Sequence, residues 1–156
     1  MAQSLAAFGT NLSLWIPVTA ALGVQLYKFF AQWIQDGDFD IHVLISTGGM
    51  PSSHSALVAA LATTTGVLYG FGSSFFAIST ILAVVVMYDA RGVRQESGQH
   101  ARILNQVVRE LLAGKPIGEQ EYVELKELLG HTAAEVLVGA LVGIVYAALV
   151  LALVIR

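Results

Sequence analysis

A chain of 156 residues, 56% of them apolar and 12% charged, with a mean hydropathy of +0.71, carries about half the charge of an ordinary soluble domain. The net charge of −3 without a basic face argues against nucleic-acid binding, and the lack of cysteine excludes disulfides and thiolate metal sites. The apolar residues fall in long blocks rather than stripes, which points to an integral membrane protein whose partners are lipids, as a single domain over 1–156.

The first block, about Leu12 to Trp33, is interrupted by Pro17, Gln25 and Lys28. Met1 to Leu14 contains no Lys or Arg, so this block reads as a retained helix and not as a signal peptide. No charge falls between Ser55 and Phe71, between Ser73 and Tyr88, or between Val136 and Ile155. With its flanks, each block approaches the ~20 residues a helix needs to cross ~30 Å of hydrocarbon. The expected fold is all-α: an integral membrane helical bundle of about four transmembrane helices, with short amphipathic helices in the long third connection. There Ala101, Ile103, Leu104, Val107, Val108, Leu111 and Leu112 recur at three-to-four spacing. That pattern predicts an amphipathic helix over 99–112, lying on the membrane surface or continuing the third span. Gly114, Lys115 and Pro116 break it, and a short helix over 119–129 follows, stopped by Gly130. Small residues mark close helix contacts at Gly139, Gly143 and Ala147 on the last span, and at Ser55, Ala59 and Thr63 on the second.

Four spans put segments 35–51 and 91–130 on one side of the membrane, and the termini and the Gly70-Phe71-Gly72 turn on the other. Lys28, Arg91, Arg94, Arg102, Arg109, Lys115 and Lys126 lie on or near the first side, with Arg156 alone opposite. The positive-inside tendency then places the long loops in the cytoplasm for a bacterial plasma membrane, or in the stroma for a thylakoid or plastid membrane.

Three polar segments meet at that side. Gly48 to Ser55 brings His54 and a run of hydroxyls to the first turn of an apolar helix, where unpaired N–H groups and the helix dipole favour an anion. The plainer reading is that Ser52 or Ser53 simply caps the helix. Tyr88 to Arg94 supplies Arg91 and Arg94, suited to bidentate phosphate contacts or to snorkelling toward headgroups, with Asp89 to pair with one of them. Leu129 to Glu135 holds His131 just before the last span, and Thr132 and Glu135 have capping-box spacing. Glu135 is also placed to accept a hydrogen bond from the His131 imidazole and fix its tautomer. Two histidines facing one anion suit phosphoryl transfer without a metal or cofactor: one imidazole attacks phosphorus, the other protonates the departing alkoxide, and Lys28 and the arginines neutralise the equatorial oxygens. His42 and His100 are assigned to structure or interface, and Asp36, Asp38 and Asp40 to a solvated loop.

The run Gly48 to Ala56, the run Tyr88 to Arg94, the Leu104-Asn105 pair and the run Leu125 to Val136 occur in that order. Together they resemble the divergent branch of the type-2 phosphatidic acid phosphatases, related to acid phosphatases and vanadium-dependent haloperoxidases, over about residues 28–143. The resemblance implies His54 as general acid with Ser52 and Ser53 at the phosphate, His131 as nucleophile, and Glu135 in place of the parent aspartate. Lys28, Arg91, Arg94 and Lys126 are then the phosphate-binding cations. Two arginines of the parent motifs are replaced: Leu125 stands at one, with Lys126 after it, and Gln35-Asp36 stands where the parent has Arg-Pro. The implied activity is a membrane phosphatase that hydrolyses a lipid or isoprenoid phosphate or diphosphate through a phosphohistidine at the cytoplasmic face. The alternative, favoured by the replaced arginines, is an inactive phosphatase-like membrane protein that binds a lipid headgroup or stabilises a membrane assembly. An alcohol phosphatidyltransferase is disfavoured because Asp89 stands alone where several metal-binding aspartates are needed. The chain is shorter than the six-helix parent bundle, which leaves open a reduced bundle or one completed by a homodimer or a membrane-complex partner.

Overall fold

Four apolar stretches each begin on a side chain that spares the helix an unpaired N–H. Asn11, Ser52, Ser73 and Thr132 each accept a backbone N–H from the first turn that follows. The computed structural model describes residues 7–37, 39, 41, 44, 48–112, 125 and 130–155, and no strand occurs among them. Its helices are α1 (Leu12–Asp36), α2 (Ser53–Tyr69), α3 (Ser74–Arg91), α4 (Val93–Leu112) and α5 (Ala133–Val154). Gly37 ends α1 in the left-handed region, φ 71°, and returns its N–H to Trp33. Gly92 alone separates α3 from α4. The amphipathic helix predicted over 99–112 therefore starts earlier, at Val93, and follows directly from the third apolar helix. The helix predicted over 119–129 lies outside the described residues, Leu125 excepted.

Among the described residues, three helical stretches are long and apolar enough to cross a membrane: Leu12–Asp36, Ser74–Glu110 and Ala133–Val154. The expectation of four is met by three on this measure, because α2 has 17 residues. Such a helix rises about 25 Å, short of the ~30 Å of hydrocarbon. Its position accounts for this: α2 packs against α1, α3 and α5 and is sheltered by them.

α2 and α5 run parallel to each other and antiparallel to α1 and α3. At one end the Ser13 hydroxyl reaches Tyr69 (3.4 Å), Tyr146 reaches Thr19 (3.0 Å), and Ile16, Ala20, Ala60, Ala147 and Leu151 form a core. At the other end the Ser52 N–H donates to the Glu135 carbonyl (3.1 Å) and the His131 N–H to the Ala90 carbonyl (2.9 Å). All three polar segments of the sequence gather at this second end.

Small residues lie inside and large ones outside. Ala56, Ala60 and Ala147 are wholly buried, whereas Ile78, Leu137, Leu149 and Leu153 are exposed. Lipid tails are as apolar as leucine, so hiding leucine gains little; close backbone approach gains dispersion contact instead. Gly139 and Gly143 mark a close helix contact, as expected; their partner is α2, where Ser52 and Ala56 face them and Ala60 packs with Ala147. Ser55 and Ala59 are buried as well, because a helix packed on three sides needs small residues on more than one face. A hydrogen bond of 2.7 Å between the Thr65 and Ser79 hydroxyls ties α2 to α3.

Candidate functional site

The approach to α2 is shaped by two glycines at positive φ, Gly48 (111°) and Gly49 (78°), a region that side-chain-bearing residues rarely adopt. Lys28 of α1 is buried there; its stem passes Gly49 and its Nζ donates to the Gly48 carbonyl at 3.1 Å. Ser52 is fully buried as the N-cap, and its Oγ accepts the Ser55 N–H at 3.3 Å. Its hydroxyl thus serves the helix, which is the plainer of the two readings made from sequence. The N–H groups of Ser53 and His54, first and second in the helix, have no acceptor within it and point out of its start.

A second component comes from the break at Gly92. The Ala90 carbonyl, beside this break, receives the His131 N–H at 2.9 Å. Gly130, at φ 89°, lies so close to the backbone of Arg94 and Gln95 that a Cβ there would collide with both. These two contacts fasten the start of α5 onto the α3–α4 junction. They give a packing reason for the glycine before His131.

The rings of His54 and His131 then stand edge to face, centroids 6.4 Å apart and planes at 77°. His54 is exposed, whereas His131 is only 4% exposed, and neither of its ring nitrogens has a hydrogen-bond partner among the described residues. A buried polar atom left in this state costs about 1–3 kcal/mol. The predicted hydrogen bond from His131 to Glu135 is not formed. The Glu135 carboxylate turns back to accept the Thr132 N–H at 2.8 Å, while the Thr132 hydroxyl accepts the Glu135 N–H at 3.3 Å, completing the capping box. Capping geometry aims the carboxylate along the helix start and away from the ring. Burial holds the His131 imidazole below its ordinary pKa; the Glu135 charge opposes this, and His54, Lys28 and Arg94 reinforce it. The ring is therefore held toward its neutral form.

The profile of the divergent PAP2 family matches residues 9–146. The chain belongs to this family. It is 40% identical over 143 residues, 86% of this chain and 90% of the relative, to an uncharacterized membrane protein of Bacillus subtilis (strain 168), YuiD. No solved structure matches. The region matched by the divergent PAP2 profile contains His54, His131, the Gly92 break, and Gly139 and Gly143 of the small-residue seam.

The cations of this divergent PAP2 chain divide into two groups. Lys28 and Arg94 act on His131 electrostatically, and Arg94 is held by Asp89 through its Nε at 2.8 Å, the pairing expected for one of the two arginines. Arg91 instead lines a groove of about 420 Å³ with Tyr88, Gly92, Gln95, Glu96 and Gln99, which neither histidine lines. Ser53 is half-buried at the helix start and His100 is exposed; His42, Asp38, Asp40 and Lys126 lie outside the described residues. The Asn105 side chain, almost wholly buried, donates to the Leu125 carbonyl (2.8 Å) and accepts the Leu125 N–H (3.0 Å). That two-sided bond gives the Leu104-Asn105 pair a structural reason. Sequence reasoning missed the main-chain contributions of Gly48 and Ala90, and only Gly92, set among charged residues, hinted at the second.

Proposed function

We propose that the protein is a membrane phosphatase acting on a lipid or isoprenoid phosphate or diphosphate whose headgroup enters at the cytoplasmic or stromal face. The observation that carries this reading is the histidine pair at the converging starts of two parallel helices, with the nitrogens of His131 buried and without a partner among the described residues. Both helix dipoles present their positive ends there, which favours an anion. A centroid separation of 6.4 Å lets both rings reach one tetrahedral group within hydrogen-bond range, ~3 Å from each. A His131 nitrogen attacks phosphorus as the bond to the leaving alkoxide breaks, and His54, protonated in the complex because the bound phosphate's negative charge favours its cation, gives that oxygen its proton. Water then attacks the phosphohistidine with His54 as base; the N–P bond breaks and inorganic phosphate leaves. Lys28, Arg94 and the N–H groups of Ser53 and His54 offset charge on the equatorial oxygens.

A pH profile tests the nucleophile. Protonating His131 stops attack, so the acid limb of kcat/KM is expected below the imidazole's ordinary value of 6.5. Glu135→Gln retains a capping-box side chain but removes the charge that raises the His131 pKa. The acid limb of that variant should move further down; a limb above 6.5, or one that moves up in Glu135→Gln, contradicts the assignment. The use of Glu135 in the cap, leaving His131 without an orienting carboxylate, favours a second reading: a headgroup-binding protein without turnover. Tight vanadate binding with no phosphate release across a panel of lipid phosphates selects it.

A further inference from the structure

We propose that Asp89 is a positioning residue, which aims the Arg94 guanidinium at an anion held between His54 and His131. This rests on the anion site of the preceding reading, not on its chemistry. On an unbroken helix, residues five apart point about 140° away from each other and do not meet. The break at Gly92 brings them together, and Asp89 Oδ2 accepts the Arg94 Nε–H at 2.8 Å. A bond through Nε alone leaves both terminal amino groups of the guanidinium free for a second, bidentate acceptor. The Arg94 backbone packs on Gly130, the residue before His131, so the direction fixed by Asp89 is set beside the buried ring. The side chains are 49% and 40% exposed, and an ion pair in such water contributes little stability. The conspicuous property of the pair is its orientation.

The sign of one substitution separates orientation from charge. A carboxylate beside an anion site repels the anion, so if Asp89 acted by charge alone its removal would tighten binding. If it acts by orientation, Asp89→Ala weakens binding, whereas Asp89→Asn, which keeps an oxygen for the Nε–H and loses the charge, rescues it. With full-length protein in detergent, orthovanadate is expected to bind Asp89→Ala about tenfold more weakly, the size of one charge-assisted hydrogen bond. Asp89→Asn should bind at least as tightly as the unsubstituted chain, and Asp89→Ala should have no further effect once Arg94→Ala is present. Binding by Asp89→Ala that is unchanged or tighter overturns the proposal, as does an equal loss from Asp89→Ala in the Arg94→Ala background. If these shifts occur but no lipid phosphate is turned over, the phosphatase reading fails and the positioning role stands. If turnover depends on His131 while Asp89→Ala binds normally, the reverse holds, and a chain that binds no vanadate overturns both.

Discussion

His131→Ala is expected to abolish release of inorganic phosphate from lipid and isoprenoid phosphates by the purified protein, a fall of at least about a thousandfold for loss of the attacking group. The loss should be selective for chemistry. Among the described residues the His131 side chain makes no hydrogen bond, and its backbone N–H, which ties α5 to Ala90, survives the substitution. Removing two unsatisfied nitrogens offsets part of the cost of the hole left by the ring. Thermal unfolding of the variant in detergent should therefore stay close to that of the parent while turnover disappears. His54→Ala should cost less, about a hundredfold to ten-thousandfold as for other general acids, and least for substrates whose leaving group needs no proton. Unaltered turnover in His131→Ala would exclude the phosphohistidine route.

Gly143→Val is expected to disrupt the bundle itself. A Cβ at Gly143 runs into the Ala56 carbonyl, and the obstacle is the backbone of α2, which cannot rotate aside as a side chain would. Overpacking of this kind costs about 1–3 kcal/mol, more where nothing can yield. The strain would open the seam one turn from the contact of Gly139 with Ser52, so the distance between the two rings should grow as well. Gly23→Ala in α1 is the matched control, since a Cβ there meets nothing within 4 Å. That change should leave stability unaltered or raise it slightly through helix propensity. Equal unfolding temperatures for the Gly143 and Gly23 variants would show that the seam does not hold the bundle together.

Much of this arrangement is legible in sequence because membrane helices announce themselves through uncharged length. The limits of α3 and α5 follow from Ser73, Arg91 and the Thr132–Glu135 cap, and the meeting of His54 with His131 follows once both stand at the starts of parallel helices. The row of α2 that faces α5 was less legible, since a helix packed on three sides carries small residues at nearly every turn. The competition for Glu135 was visible as two alternatives at one spacing; hydrogen-bond geometry decided for the cap, at 2.8 Å and 3.3 Å, and against the ring. The separation of Arg91 from Arg94 depends on one unusual backbone conformation, at Gly92, that no periodicity encodes.

Two peptide-to-peptide links, Ser52 to Glu135 and His131 to Ala90, frame the histidines. Neither consults a side chain, so any substitution other than proline at the two donors, Ser52 and His131, leaves the linking groups in place. Such a frame keeps the two imidazoles in register through main-chain groups, whatever side chains stand at its four ends.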